Sequence, residues 1–529
     1  SDYYVSYQGD WSQYFTDLDN IKKLKLTDVN QTLTQFLVPQ HRISGDIQPT
    51  PEEQKKALKQ KQASEPAKTL TQTDLQAEPL KDSRVYQQEV AEYVKASKQS
   101  LVNTEKKIQR GTLKNGIQYA LYPTSTRDDK TYATISIDFG TEKSLFNQGE
   151  VLDLMAYLLL RGSDQYSLQD IADKSIEAGG GATANAAGNS ITIQIVAKKE
   201  KFADYFKFML EVLKKPKFEP SQFDLIKSQS LSALDRPYTE PETVAALTMT
   251  RLLETYQPGD LRYHFEPEFS KQQIKAATVE QVKTLYQNFF VSNHAQIAIT
   301  GDYQAKTMLK ILQKEFGGWK AQLPYQRLSS DYQAYPAQKV HTLSEQREFG
   351  NYQSILTFPV GADHPDTPAL MVFSYILGDS QLSSRLAQEL REKNALVYGF
   401  GSGLNLDEWL DSGALTIEAN YTAGKSAQVS QGVHKVLNDL LSKGVTEQEL
   451  EAAKANILKK RVTALEDERN IHRMLTPQLE HHRDLLFREK RDQALAKLTK
   501  ADVDAVIKKY IKLDQFVEVM ADQYGKAEK

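Results

Sequence analysis

Two side chains near the start of the last third of this 529-residue chain could do chemistry together: Arg391 and Tyr398, seven residues apart. They lie in the run Leu382-Ser383-Ser384-Arg385-Leu386-Ala387-Gln388-Glu389-Leu390-Arg391-Glu392-Lys393-Asn394-Ala395-Leu396-Val397-Tyr398-Gly399. Leu382, Leu386 and Leu390 recur at helical spacing, so the pattern predicts a helix with one apolar face. The helix ends in a charged turn and passes into a strand that carries Tyr398. A guanidinium offers fixed donors that suit a carbonyl, and a phenol hydroxyl can donate to an oxyanion. Taken singly, each residue has a plainer reading. An Arg in the last turn of a helix complements the macrodipole, and a Tyr in a strand packs on its neighbours. The nine His include no i,i+4 pair. His481 and His482 are adjacent, and adjacent helical side chains point about 100° apart, which predicts a solvated helix face rather than a shared ion. There is no Cys, which excludes disulfides, thiol catalysis and thiolate metal sites.

The joint pattern of Ser384-Arg385-Leu386, Glu389, Arg391-Glu392, Leu396 and Tyr398-Gly399 resembles the substrate-binding signature of the pitrilysin/insulinase family of zinc peptidases, which includes the mitochondrial processing peptidase. The resemblance implies that Arg391 and Tyr398 lie across a catalytic cavity from zinc and hydrogen-bond a peptide around its scissile carbonyl. It also implies an H-x-x-E-H string, two metal-binding His one turn apart with a general base between them. No such string is present. The segment Gly149–Ser163 resembles the family's zinc helix in length and flanks, with Asp153, Ala156 and Tyr157 at the positions of first His, Glu and second His. Phe218-Glu219-Pro220 opens the helix expected to supply the third ligand, and Ala233 falls on that position. Asp153 could ligate a metal, Tyr157 is a poor ligand at neutral pH, and Ala233 is none. No cofactor is therefore expected in this chain, and zinc is expected in the complete enzyme.

The elements that must position these residues recur. A Thr-capped helix followed by a short β-rich strand is read three times: at Leu26-Thr27-Asp28-Val29 with Ile43–Asp46, at Thr278-Val279 with Ile297–Asp302, and at Thr499-Lys500 with Phe516–Asp522. Each copy closes a segment. Gly111–Tyr122 reads as two strands around the Asn115-Gly116 turn. Strands are expected at Thr134–Phe139, Ser190–Ile195, Ser354–Phe358 and Gly413–Ala419. Apolar helices are expected at 151–160 and 369–377, and longer ones near 425–441 and 446–465. Gly179-Gly180-Gly181 reads as a turn with edge-strand relief, because a phosphate loop would run into a helix.

The expected fold is α+β: tandem pitrilysin/processing-peptidase-like domains, each an antiparallel-rich sheet packed with helices. Residues 1–48 read as the C-terminal remnant of a preceding domain, and 49–108 as a linker with a helical segment near Tyr86–Ser100. Residues 109–325 read as an inactive peptidase-like domain with the degenerate zinc helix, and 326–529 as a C-terminal peptidase-like domain with the Arg391/Tyr398 pair. The linker is rich in Gln, Lys, Ala, Thr and Pro and cannot bury enough surface to fold alone. Tyr14-Phe15, Leu24, Leu26 and Phe36-Leu37 are expected to belong to a core whose other side is absent.

At 529 residues the chain suits two or three domains. Its 66 Lys and Arg against 69 acidic residues give a net charge of −3, which argues against nucleic acid or an anionic membrane surface as partner. No apolar run reaches the roughly 18 residues needed to span a bilayer, and Ser1-Asp2-Tyr3-Tyr4 does not open a signal peptide. The lack of Cys fits a periplasmic or otherwise exported protein. Two functions stand: the substrate-binding half of a zinc endopeptidase, or an inactive binding or scaffold protein of the same fold. The partners expected are a zinc-bearing N-terminal half, on the same longer chain or a separate subunit, and peptide substrates. A homodimer is a further arrangement, and residues 1–46 are expected to dock on another copy or on the chain's own later domains, or to exchange amide hydrogen quickly.

Overall fold

The computed structural model describes residues 11–36, 80–345, 348–380 and 383–526, which fall in two compact units, Ser1–Thr71 and Gln72–Lys529. In the first unit the described residues form two helices, Trp11–Lys23 and Leu26–Phe36. Phe15, Leu24, Leu26 and Phe36 are all exposed, Leu26 by 75 %. Thr27 does not cap its helix. The helix begins one residue earlier, and the Asp28 carboxylate accepts the Lys25 backbone N–H at 2.9 Å in the capping role. The strand expected at Ile43–Asp46, most of the linker, the Tyr14 side chain, Leu37 and Leu382 lie outside the described residues.

The second unit is built on two sheets. The first has strands β1 (Gln109–Thr112), β2 (Gln118–Pro123), β3 (Lys130–Asp138), β4 (Gly181–Ala187), β5 (Ser190–Lys198) and β6 (Ala295–Gly301), in the order β1-β2-β6-β3-β5-β4. The second has β7 (Gln338–Leu343), β8 (Phe349–Phe358), β9 (Val397–Leu406), β10 (Gly413–Thr422) and β11 (Val517–Asp522), in the order β7-β11-β8-β10-β9. Period-2 patterning explains the strands: Ile135 and Ile137 of β3, and Ile191, Ile193 and Ile195 of β5, point together into one core. Every pairing is antiparallel except β2 with β6 and β7 with β11.

The repeat explains those two exceptions. Thr278 and Thr499 each cap a helix with a reciprocal capping box, Val279–Phe289 and Lys500–Tyr510. Each helix then delivers a wholly buried strand, β6 or β11, into the interior of its sheet rather than onto an edge. At the expected glycine turn, Gly179 ends the helix Leu168–Ala178 at φ +60°. A Cβ on Gly180 would lie 1.8 Å from the Val196 carbonyl oxygen, so the turn into β4 admits only glycine there.

Two helices cross between the sheets. Pro241–Leu252, which follows β5 in the chain, lays Ala245 and Met249 on Val517, Val519 and Ala521 of β11. Glu468–Glu480, which follows β10, lays Ile471, Leu475 and Leu479 with Leu101 against Ala120, Tyr122 and Ala298 of the first sheet. There His472 is buried between Thr134 and Thr300, with its ring nitrogens 2.8 and 3.0 Å from their hydroxyls. The helix read near Tyr86–Ser100 runs Ser83–Glu105, and its Tyr86 and Val90 join the core of the second sheet.

Candidate substrate-binding site and the degenerate zinc helix

The segment carrying Arg391 is not the regular α-helix its leucines suggest. A turn held by Ser380 leads into a helix at Arg385, and from Ala387 to Lys393 the chain is π-helical. A π-turn takes more residues per turn, swings later side chains around the axis, and is frequent at functional sites. Leu386 and Leu390 are fully buried and anchor the segment to the core. The polar neighbours hold it from outside. Arg385 makes a bidentate pair with Glu449, Nε to Oε1 at 2.5 Å and Nη2 to Oε2 at 2.8 Å. The buried Glu389 accepts from Lys435 at 2.6 Å and from Asn394 at 3.3 Å, and Lys435 holds its carboxyl below the usual range against the penalty of burial.

Arg391 itself is left with capacity. Its guanidinium lies 5.7 Å from the Phe400 ring centroid, and its Nε is buried with no hydrogen-bond partner. Among the described residues no carboxylate pairs with it. An orphaned charged donor of this kind is costly unless a ligand satisfies it.

Tyr398 is placed by a bulge. The β9–β10 register runs Gly399 against Asn420 and then Val397 against Tyr421, so Tyr398 is the extra residue. Val397 and Phe400 turn toward the core, while Tyr398 stays 51 % exposed and its hydroxyl accepts from Thr422 Oγ1 at 3.3 Å. β9 is the edge of its sheet. Beside the bulge, Gly399, Gly401 and Gly403 with Thr416, Glu418 and Asn420 line an open cleft of about 400 Å³. Arg391 and Tyr398 therefore flank the start of one edge strand without bonding each other. The sequence reading missed Glu449 and Lys435, which orient the segment. Their partners Arg385 and Glu389 were in the motif, but nothing local marked the distant halves of the pairs.

The helix resembling a zinc helix spans Gly149–Leu158 and buries Val151, Leu152, Leu154, Met155, Ala156 and Leu158. Asp153 and Tyr157 share its outward face, one turn apart, with Tyr157 58 % exposed. Asp153 opens onto a cavity of about 270 Å³ also lined by Glu150, Tyr263 and His264. Burial and then the nearby Glu150 charge push its carboxyl up to about 6. Ala233 is exposed near the end of the helix Pro220–Leu234. Ala156 and Ala233 carry no donor, and Asp153 and Tyr157 alone do not make a zinc site. Among the described residues, no three His, Cys, Asp or Glu side chains come together to hold a metal.

His481 and His482 do not form the helix face expected of them. They end the helix Glu468–Glu480, where His482 turns to φ +51° and the rings part. His481 stacks on Trp409 at 4.0 Å, and His482 Nδ1 meets Gln118 Nε2 at 2.9 Å.

Residues 276–457, which include the Arg391 segment and β9, match the family described as Peptidase M16 inactive domain. Over that region the chain is similar to the M16, or pitrilysin-like, peptidases. Among curated relatives, an uncharacterized zinc protease of Mycobacterium leprae is 27 % identical over 203 residues, covering 37 % of this chain and 43 % of the relative. A Helicobacter pylori protein called a non-peptidase homolog is 22 % identical, covering 59 % of this chain and 70 % of its own. The M16 inactive domain structure from Pseudomonas fluorescens superposes with a TM-score of 0.68 at 20 % identity, covering 80 % of this chain and 99 % of that one. The periplasmic protease PqqL of Escherichia coli superposes at 0.64 with 14 % identity, covering 94 % of this chain and 55 % of PqqL. The chain thus spans under half of the first curated relative it matches and little more than half of PqqL. The M16 family is zinc-dependent, and the degenerate helix described above does not fit that metal.

Proposed function

We propose that this chain is the substrate-binding, metal-free half of a zinc-dependent endopeptidase, completed by a zinc-bearing N-terminal half on the same longer chain or a separate subunit. The observation that carries this reading is the pair at the start of β9: an arginine with a buried, unpartnered Nε, and a tyrosine lifted outward by a bulge. Arg391 donates to a peptide carbonyl near the scissile bond. The Tyr398 hydroxyl donates to the oxyanion as it develops, and losing one such donor costs about 10²–10³ in rate. The hydrolytic machinery belongs to the other half. Residues 1–48 are the end of that half, 49–108 the connection, 109–325 the inactive domain and 326–529 the domain that presents the pair. The likeness to periplasmic PqqL supports an exported location.

A second reading is an inactive binding or scaffold protein of the same fold, favoured by the H. pylori relative named a non-peptidase homolog. The two part on reconstitution. The chain alone should cleave no peptide, and adding the zinc-bearing half should produce cleavage that neither half shows alone. If the zinc-bearing half cleaves equally well without this chain, the scaffold reading replaces the enzymatic one.

A further inference from the structure

A second cavity, of about 440 Å³, opens at the far end of β9. Leu404 and Leu406 in its wall lie six and eight residues beyond Tyr398. At about 3.3 Å per residue, Leu404 is roughly 20 Å along the strand from it. One side of the cavity is apolar, with Met371, Pro365 and Pro368 facing the two leucines. The other side is crowded with cations.

Arg483 and Arg491 converge on Asp363 and lie over the Phe487 ring, at 4.2 and 4.9 Å from its centroid. Glu408 stands 3.5 and 3.7 Å from the same two guanidiniums. Arg461 pairs with the buried Asp492 at 2.5 Å. The remaining donors find poor partners. Arg461 Nη2 points at Met371 Sδ at 3.4 Å, and Arg488 Nη1 at Met474 Sδ at 3.3 Å, and thioether sulfur is a weak acceptor. Among the described residues no carboxylate pairs with the exposed Lys490, which lines the cavity. Of the lining cations, Arg461 is taken by Asp492 and Arg491 by Asp363, which leaves Lys490 to meet an incoming anion. Burial, and then the neighbouring guanidiniums, hold Arg483 and Arg488 below the usual arginine range.

We propose that this cavity binds the C-terminal end of a peptide whose last residue is apolar. The terminal carboxylate meets Lys490 and the rim of Arg461 and Arg491, and the last side chain enters between Met371 and Leu404. Asp363 and Glu408 accept backbone N–H groups of the same peptide. Those two carboxylates favour a peptide over a fatty acid, because a hydrocarbon chain would desolvate them and return no donor. The inference rests on this cavity alone and is independent of the roles given to Arg391 and Tyr398.

The test is direct binding to the full chain of a labelled hexapeptide ending in leucine with a free carboxylate, its C-terminal amide, and decanoate. The free acid should bind at least about tenfold more tightly than the amide or decanoate. Lys490→Glu should weaken it by about tenfold or more, Lys490→Gln by less, and Lys310→Glu on a distant exposed helix should leave it unchanged. Thermal melts of all three variants should match the parent, since both lysines are exposed. Equal binding of acid and amide, equal binding of decanoate, indifference to Lys490→Glu, or no binding of the free acid would each overturn the proposal.

Discussion

Arg391 and Tyr398 gain their significance from how the surrounding chain holds them. The Arg385–Glu449 and Glu389–Lys435 pairs fix the π-helical segment, so Arg391 reaches its position with a donor still unspent. Arg391→Ala should weaken peptide binding by the complete enzyme as well as slow it, because a carbonyl is contacted before reaction begins. A rise in KM with a fall in kcat checks that expectation. Asp153 makes a different prediction. Its carboxyl is raised to about 6, so the folded state keeps a proton that the unfolded chain releases from about pH 4 upward. Stability from this group is therefore lost as pH rises through that window. Asp153→Asn should raise the Tm at about pH 7.5, with the gain vanishing below about pH 4. A pH series of thermal melts of the two proteins measures it. Arg391 and Tyr398 stood out in the sequence because one contiguous run carries both, and Asp153, Ala156 and Tyr157 because they share another. The bulge under Tyr398 did not, since a bulge is a property of the register between β9 and β10, which lie several residues apart.

At the scale of elements, the Thr-capped helix and its following strand carry the clearest sequence signal and the simplest energetics. Thr278→Ala and Thr499→Ala should each cost about 1 kcal/mol of unfolding free energy, read from denaturant midpoints. The same substitution at Thr27 should cost less, since that residue lies inside its helix and Asp28 does the capping. The helix Glu468–Glu480 adds a pH term. Burial lowers the His472 imidazole to about 4, so the unfolded chain takes up a proton between about pH 6.5 and 4 that the fold refuses. Stability falls as pH drops through that interval, by about 3 kcal/mol at pH 4 on the usual conversion. His472→Gln should flatten this acid limb in denaturant titrations. An unchanged limb would mean that other groups set it. The Thr278 and Thr499 caps and the strand alternation are local and were legible, whereas the cap expected at Thr27 was not found there. The π-helical turns at Tyr375–Asp379 and Ala387–Lys393 were read as ordinary helix, because apolar spacing alone does not separate one helical pitch from a slightly wider one.

For the unit Gln72–Lys529, the feature that sequence could not show is the exchange of helices. Each sheet is covered on one face by a helix from the other part of the chain, Pro241–Leu252 on the second and Glu468–Glu480 on the first. Periodicity says that a helix has an apolar face, not which sheet receives it. Putting a charge at the fully buried Ala245 should loosen β11 and raise its amide exchange, while β3 and β5 of the first sheet keep their protection. The same unit holds the start of β9, where Arg391 and Tyr398 are proposed to meet a peptide. The measurement that bears most directly on this role is the steady-state kinetics of Tyr398→Phe, assayed with the complete zinc-bearing half and with the Tm checked in parallel. The ring is half exposed and only the hydroxyl is lost, so the Tm should not move. The loss should fall on kcat, by about 10²–10³, with KM little changed. A variant that keeps full kcat, or loses activity only in step with unfolding, would contradict the assignment of Tyr398 to the reacting carbonyl.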